Sequence, residues 1–226
     1  MKNLILLLVL LTGYQSVIAQ NEKITQELQE FTKIKGFDGL SINLIKSDVN
    51  RAVITGVNTG KVSIVNNKGV LKLKMEIVKI FSGYRTFIDL YYTETLAVLD
   101  VNEDARITSE EIIKQTVLEL KSQEGGELII ATDVEQLLIK VVSGGVITTS
   151  GVSTNQDVKI NTGGTYKGEN LKTSLTTVSV NAGGTAEIFA SDYVKAIVKA
   201  GGVVKVHGNP KKMDEKTVFG GKIKRM

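Results

Sequence analysis

Six glycine pairs recur through the second half of this 226-residue chain at an almost constant spacing. Successive pairs are separated by 19, 19, 20, 18 and 19 residues, and the first members are Gly125, Gly144, Gly163, Gly183, Gly201 and Gly220. A repeat of this length is typical of a solenoid, in which each repeat forms one coil and stacks on its neighbours. The spacing therefore constrains the fold before any single strand is assigned.

Apolar columns accompany the glycine pairs and indicate β-strands. Before each pair, apolar residues alternate with polar ones, as in Ile139-Lys140-Val141 and Val158-Lys159-Ile160. Two residues after each pair comes a further column, made of Leu128, Ile147, Tyr166, Ala186, Val204 and Ile223. Strands with these periods would stack in parallel from coil to coil, which predicts an all-β, right-handed parallel β-helix of about 19 residues per coil.

The remaining sides of each coil are predicted less firmly by the pattern. On the third side the plausible inward residues are Val134, Val152 and Leu171. The glycines indicate a bend that needs positive φ and close stacking of backbone, and Asn161 and Asn181 suit the same bend because Asn tolerates left-handed backbone.

One earlier coil can be placed from the spacing alone. Ala105-Arg106 lies 20 residues before Gly125 and is assigned to its bend, which gives about seven turns over residues 96–226. Residues 20–95 lack the pairs but alternate strongly, and Asn66-Asn67-Lys68-Gly69 predicts a hairpin. These strands are predicted to cap or begin the solenoid. With no linker-like segment between the two parts, residues 20–226 are predicted to form one domain.

The N-terminus resembles a secretory signal. Lys2 precedes an apolar run from Leu4 to Leu11, and Val17-Ile18-Ala19 offers a small-residue cleavage site, so residues 1–19 are predicted to be removed on export. No segment is apolar over the ~20 residues that a membrane helix needs. The chain has no Cys, which excludes disulfides and a Cys-linked lipid anchor. A periplasmic, cell-surface or secreted location is predicted.

Basic residues accumulate near the C-terminus, whereas the whole chain has a formal charge of +4. The late residues are Lys211, Lys212, Lys216, Lys222, Lys224 and Arg225. They could form a solvated end of the molecule, or they could contact an anionic glycan or lipid surface. Nucleic acid is not predicted as a partner, because no aromatic residues are interleaved with the basic ones for base stacking.

Several of these features together resemble a known family of bacterial exported proteins, the putative auto-transporter adhesin, head GIN domain family. The resemblance rests on the strand after Phe37-Asp38-Gly39, the stretch from Leu96 to Ile113, the serial glycine pairs, and the ending Val206-His207-Gly208-Asn209-Pro210 before Phe219-Gly220-Gly221. It implies a right-handed β-helix similar in shape to pectin lyases and a role in cell adhesion. It implies no catalytic residues.

A calcium loop is the most specific chemical motif in the sequence. Residues 100–111 match the EF-hand ligand positions with Asp100, Asn102, Asp104, Thr108 and Glu111. Against this, Ala105 replaces the glycine of the sharp turn, and the residues before Asp100 have a strand pattern instead of a helical one. The repeat spacing also assigns this segment to a coil of the solenoid. That assignment favours a corner after Ser109 over a helix that begins there.

No catalytic constellation is evident from the sequence. His207 is the single histidine, so neither a catalytic triad nor an ordinary zinc site can be assembled, and a corner position is favoured for it. The carboxylates Asp133, Glu135, Asp157, Glu169 and Glu187 are scattered. A set of hydroxyl residues is predicted to face outward, namely Thr148, Thr149, Thr173, Ser174, Thr176, Thr177 and Ser179.

Two functions follow as hypotheses. The first is a non-catalytic exported β-helix that binds a surface protein or glycan in the manner of an adhesin, with no cofactor other than the calcium considered above. The second is a polysaccharide-active lyase or hydrolase that uses a groove on the solenoid. A cleft with converging carboxylates and a basic residue would favour the enzyme. The sequence does not predict the oligomeric state.

Overall fold

The computed structural model describes residues 23–76 and 85–226, so the predicted signal peptide at residues 1–19 lies outside the described residues. The fold is all-β, as predicted, with 68% of the chain in strands and 2% in helix. Eighteen strands join into one continuous sheet. One 3-10 turn covers Thr59–Lys61. Within the described ranges no helix is long and apolar enough to cross a membrane.

Seven strands precede the repeat region and eleven belong to it. The first group is β1 (Ile24–Glu27), β2 (Lys33–Gly36), β3 (Ser41–Lys46), β4 (Arg51–Gly56), β5 (Val62–Asn67), β6 (Val70–Met75) and β7 (Thr86–Tyr92). The second group is β8 (Val98–Val101), β9 (Arg106–Ser109), β10 (Ile113–Ser122), β11 (Glu127–Val141), β12 (Val146–Asn161), β13 (Thr165–Asn181), β14 (Thr185–Phe189), β15 (Tyr193–Lys199), β16 (Val203–His207), β17 (Lys212–Val218) and β18 (Lys222–Arg225).

The repeat region is a β-solenoid of about seven turns with a spacing of about 19 residues, which confirms the predicted architecture. Its strands pair in parallel, and like residues stack on like residues from coil to coil. After the bend the stacked column is Leu128, Ile147, Tyr166, Ala186 and Val204, and all five side chains are completely buried. Burial of whole columns explains why a single coil could not be stable alone.

The N-terminal strands both cap and extend the stack, but not in chain order. Strand β2 pairs in parallel with β6 on one side and with β8 on the other, and β3 lies in the same way between β7 and β9. The first coil of the chain is therefore the second coil of the stack. Strand β4 then covers β7 in antiparallel orientation, and β1 covers β4. The predicted hairpin is confirmed as β5–β6, whose turn residues Lys68 and Gly69 both have positive φ.

Each bend has the backbone pattern of a type I′ turn. At one of them Thr162 and Gly163 both have positive φ, at 50° and 73°, and the Gly164 amide donates a 3.2 Å hydrogen bond to the Asn161 carbonyl. The prediction that Asn161 and Asn181 adopt left-handed backbone is wrong. A type I′ turn places its two left-handed residues one position later, so the non-glycine residue that bears the strain is Thr162 and its equivalents.

The two glycines of a pair are needed for different reasons. Gly144 has φ +75°, and a Cβ added to it would meet no atom within 4 Å. Gly145 has ordinary backbone, but its Cβ would lie 2.6 Å from the Ser122 carbonyl carbon of the coil below. The first glycine is therefore needed because the bend requires left-handed backbone there, and the second is needed because the coils stack closely.

The earliest bend of the repeat falls one residue before its predicted place. Arg106 pairs with Glu127, so the residues equivalent to Gly125-Gly126 are Asp104 and Ala105, not Ala105 and Arg106. Asp104 has φ 58°, as the first position requires. A methyl group is tolerated at Ala105 because the coil below contributes Gly36, which has no side chain of its own there.

At the third corner the inward and outward positions change phase, which overturns some predictions. Val134 and Leu171 are buried as predicted, but Val152 is 47% exposed and its neighbour Ser153 faces inward. Two consecutive residues point outward at this corner, as at Thr154-Asn155, and the alternation resumes with the opposite phase. Three hydroxyl residues predicted to face outward are also buried, namely Thr149, Thr173 and Thr176.

Candidate binding groove

An open groove of about 660 Å³ runs along the third corner of the solenoid, parallel to the stacking direction. Five successive coils contribute to it, each through a short run of residues at the equivalent corner. The lining residues are Gln115, Asp133, Val134, Glu135, Val152, Ser153, Thr154, Lys172, Thr173, Ser174, Phe189 and Ser191.

Strand register places these residues in a row. Gln115 pairs with Val134, Val134 with Ser153, and Ser153 with Thr173. The row ends at Ser191, whose amide donates a 3.0 Å hydrogen bond to the Thr173 carbonyl. Because paired strands lie about 4.8 Å apart, the groove presents equivalent positions at regular intervals over about 19 Å.

The walls of the groove mix charged, polar and apolar groups. The Lys172 ammonium lies 4.0 Å from the centre of the Phe189 ring, a cation–π contact that holds both side chains at one end. Near the other end, Asp133 lies 3.8 Å from the exposed Lys114 ammonium. Glu135 is also exposed, and Val152 supplies apolar surface between the two ends.

A chain of hydrogen bonds runs from the interior of the solenoid to the groove floor. The Tyr166 hydroxyl donates to Gln156 Oε1 at 2.6 Å, so the Thr149 hydroxyl, at 2.7 Å, must donate to Tyr166. Gln156 Nε2 donates to the Thr176 hydroxyl at 3.1 Å. Thr176 contacts Thr173 Oγ1 at 2.8 Å, and Thr173 donates to the carbonyl of Phe189. A satisfied network of this kind fixes the floor of the groove.

Tyr166 is the largest side chain enclosed by this part of the solenoid. It is fully buried, and burial raises the pKa of its hydroxyl well above the usual value. Space for the ring comes from Gly168, where a Cβ would lie 2.4 Å from the Tyr166 hydroxyl oxygen. The neutral hydroxyl can therefore serve as both donor and acceptor in the network.

The sequence pointed to part of this groove only. The sequence shows Asp133 and Glu135 as scattered carboxylates, whereas the structure places both in the groove, with Lys172 two coils further along it. Phe189 was missed, because nothing in its local sequence distinguishes it from other apolar strand residues. A signal was available in Gln156, a long polar residue at a position that the column pattern assigns to the interior.

His207 lies at a corner, as the sequence favoured, since it is the last residue of β16. Its Nε2 is 3.5 Å from Glu187 Oε2, and the Lys205 ammonium lies 2.9 Å from Glu187 Oε1. The hydrogen bond from Lys205 is the main reason why the pKa of Glu187 is lowered, with His207 adding to the effect and partial burial opposing it. These three residues form an outward group beside the Phe189 end of the groove, since His207 pairs with Phe189 across neighbouring coils.

A second, flatter concavity lies at the N-terminal cap. Its volume is about 840 Å³, larger than that of the groove, and its lining residues are Glu27, Leu28, Gln29, Glu30, Asp48, Val49, Asn50 and Thr93. Most of them belong to connections between strands. The corner groove is the better candidate because strands on five coils hold its residues, and rigid elements position a binding site more accurately than connections do.

The predicted calcium ligands are distributed over a strand, a turn and a second strand. The Asp100 carboxylate lies 2.9 Å from the Lys35 ammonium. Asn102 Nδ2 donates a hydrogen bond to Asp100 Oδ1 at 3.2 Å. Asp104 occupies the bend, Thr108 lies in β9, and Glu111 lies exposed at the next corner. Across residues 23–76 and 85–226, no group of three or more His, Asp or Glu side chains is arranged to hold a metal ion. Calcium binding stays a prediction, which calorimetric titration with Ca²⁺ would test.

Acidic residues instead stack at the bends of neighbouring coils. Asp38, Glu103 and Glu124 occupy the equivalent left-handed position of three successive bends. A hydrogen bond with Asp38 is the main reason why the pKa of Glu103 is raised, and the negative charges of Asp38 and Glu124 act in the same direction. The pKa of Glu103 is therefore raised because the repeat holds acidic side chains next to one another.

Comparison with protein families identifies the chain's relatives. Residues 30–210 match the family described as "Putative auto-transporter adhesin, head GIN domain". This range includes the five-coil groove and most of the solenoid. No curated protein matches the chain.

Solved structures of similar fold include proteins from Bacteroides and Parabacteroides species. A putative adhesin from Bacteroides fragilis NCTC 9343 superposes with a TM-score of 0.82 at 17% identity, and a putative adhesin from Parabacteroides distasonis ATCC 8503 with a TM-score of 0.74 at 15% identity. A third structure, named a putative lipid binding protein from the same Parabacteroides strain, gives 0.69 at 13% identity. Each alignment covers 92% of this chain and 98% of the other. At these identities the likeness concerns the fold alone.

Proposed function

The chain belongs to the family described as "Putative auto-transporter adhesin, head GIN domain", and we therefore propose that it is an exported, non-catalytic binding protein of the adhesin type. The ligand is a surface glycan or protein, and the corner groove is the binding site. Family membership and the adhesin names of the structural neighbours support the general role. Export is supported by the signal-like residues 1–19.

The observation that carries this proposal is the row of equivalent positions along the groove. Gln115, Val134, Ser153, Thr173 and Ser191 stand at successive coils, which are about 4.8 Å apart. An extended polymer could therefore meet hydroxyl and amide groups on four of these five coils, with the Phe189 ring and the Lys172 ammonium at one end. A linear glycan suits this arrangement best, because its hydroxyl groups pair with such side chains and its ring faces pack on aromatic and apolar surface.

Blocking the groove tests the assignment. Thr154 is exposed on the groove wall, so Thr154→Arg should fill the groove without disturbing the core. Thr177→Arg is the matched control, since Thr177 is equally exposed on another side of the same solenoid. On a glycan array and in a cell-binding assay, the first variant should lose binding and the control should keep it. Clean negatives for the unmodified protein in both assays would refute the binding role.

An enzymatic function is the second candidate, and one feature of the groove favours it. Asp133, Glu135 and Lys172 place two carboxylates and a basic residue in one cleft, and paired carboxylates are the groups that most glycoside hydrolases use. Incubation with acidic polysaccharides and measurement of released reducing ends or unsaturated products tests this function. Release that Asp133→Asn or Glu135→Gln abolishes would replace the binding proposal with a catalytic one.

A further inference from the structure

Positive charge is concentrated at the C-terminal end of the solenoid. Residues 195–226 contain nine Lys or Arg residues and two acidic residues, Asp214 and Glu215, which gives a formal net charge of +7. The preceding 194 residues have a formal net charge of −3. The molecule is thus strongly polarised along the stacking direction, and its basic end consists of the last two coils.

Within the described residues, the last coil is stacked on one side only. Strands β17 and β18 each pair with a strand of the preceding coil, and within the described chain they have no partner on their other side. The outward residues of these two strands form a rim of exposed lysines, namely Lys212, Lys216, Lys222 and Lys224. Lys216, Lys222 and Lys224 have no ion pair within the part of the chain that the structure describes.

This end of the stack is bridged by an ion pair. Glu215 and Arg225 stand at columns that Ala196 and Val206 fill in the coil before. The Arg225 guanidinium lies 2.7 Å from the Glu215 carboxylate. The inward position of Glu215 thus removes half of the acidic charge of this end from the rim and leaves the outward lysines in excess.

A large aromatic side chain projects from the same end. Phe219 occupies the last bend with φ 53° and is 86% exposed. The equivalent residues of the three preceding bends are Thr162, Ala182 and Ala200, which are smaller. A bulky residue in left-handed backbone, exposed to water, is unfavourable on both counts. Contact with an apolar phase would offset the exposure.

We propose that the C-terminal end of the solenoid docks on an anionic lipid surface. The lysine rim lies against lipid phosphates, and Phe219 enters the interfacial region between headgroups and acyl chains. A soluble polyanion would engage the lysines but would leave Phe219 in water. A second copy of the chain would bring two ends of charge +7 together. A lipid surface is the partner that would contact both the lysine rim and the Phe219 ring favourably.

Docking in this way sets the orientation of the whole molecule. The solenoid stands end-on. The nearest residues of the corner groove are Ser191, one coil or about 5 Å from Lys211 of the last coil, and Phe189, two coils or about 10 Å from β18. The groove therefore stays open on the side of the solenoid. The inference about the basic end is independent of what the groove binds.

Sedimentation with lipid vesicles tests the proposal. The purified protein should sediment with vesicles of phosphatidylcholine and phosphatidylglycerol, should stay in solution with pure phosphatidylcholine, and should be released by salt. The combined variant Lys216→Gln, Lys222→Gln and Lys224→Gln should weaken binding by roughly a hundredfold. The matched control removes three exposed lysines from other coils, in Lys72→Gln, Lys74→Gln and Lys140→Gln, and should bind as the unmodified protein does.

Phe219→Ser separates a membrane from other polyanions. It should lower binding to phosphatidylglycerol vesicles about tenfold or less, and should leave binding to soluble polyphosphate unchanged. Equal weakening by both triple variants would show that overall charge is responsible and would overturn the proposal. So would binding to polyphosphate without binding to vesicles, or loss of a dimer in the rim variant on size-exclusion chromatography without lipid.

Discussion

The hydroxyl of Tyr166 lies 2.6 Å from Gln156 Oε1, and this hydrogen bond joins two successive sides of one coil inside a largely apolar solenoid. Both side chains are at most 3% exposed. The bond is one link in the chain that continues through Thr176 and Thr173 to the carbonyl of Phe189. The interior of the fold and the geometry of the groove are therefore physically connected.

Tyr166→Phe should destabilise the protein by about 1–3 kcal/mol, because it leaves Gln156 Oε1 buried without a donor. Urea denaturation followed by circular dichroism would measure the loss. Tyr193→Phe is the control, because its hydroxyl donates to Asp214 on the exposed surface at 2.6 Å and should contribute little. An equal loss in both variants would contradict the importance of the buried network.

Gly145→Ala should be more harmful than Gly144→Ala, although only Gly144 has left-handed backbone. Alanine at Gly144 meets open space and should cost about 1–2 kcal/mol for its conformation. Alanine at Gly145 would press on the Ser122 backbone and should cost about 3 kcal/mol or more. Thermal unfolding of the two variants gives the order directly. If Gly144→Ala were the more harmful variant, left-handed backbone, and not close stacking of coils, would be the main reason why each repeat contains a glycine pair.

Repetition explains what could be predicted from this sequence. Equivalent positions stack, so the five spacings between the six glycine pairs suffice to align Leu128 with Ile147 and the rest of that column. The corner groove could not be predicted in this way, because it depends on where the alternation changes phase. Two outward residues in succession at Thr154-Asn155, and an extra residue in the strand opposite Thr148 and Ser150, have no fixed sequence signature.

Chain order was the other feature that the sequence did not show. The pattern placed strands in residues 20–95 correctly, but pairing of β2 with both β6 and β8 requires the chain to return past its own first coil. Ala105 shows how such pairing changes the requirements at a bend. It can replace the second glycine because Gly36, distant in sequence, lies beneath it.

Glu103→Gln should stabilise the protein at neutral pH. The pKa of Glu103 is raised in the folded state by Asp38 and Glu124, so ionisation of Glu103 costs stability above that pKa. The cost disappears as the pH falls below the unfolded value, so the gain should vanish below about pH 4. Glu103 is exposed, and the gain should be less than about 1 kcal/mol. Melting temperatures of the variant and of Glu110→Gln, an exposed control at a corner, would check this at both pH values.

Glu187→Gln should have the opposite effect. The Lys205 ammonium holds the pKa of Glu187 below its usual value, so the ionised carboxylate stabilises the fold at every pH above the unfolded value. That contribution is lost as the pH falls through the lowered folded value. The variant should therefore lose roughly 1 kcal/mol near neutral pH and should approach the unmodified protein in acid.

Comparison of the two glutamate variants makes the test of Glu187 specific. Their differences in melting temperature from the unmodified protein should have opposite signs at neutral pH and should both shrink on acidification. Lys205→Gln removes the same ion pair from the other side, so it should lower the melting temperature at neutral pH as Glu187→Gln does. If Lys205→Gln had no effect while Glu187→Gln did, His207, 3.5 Å away, would be the partner that stabilises the carboxylate.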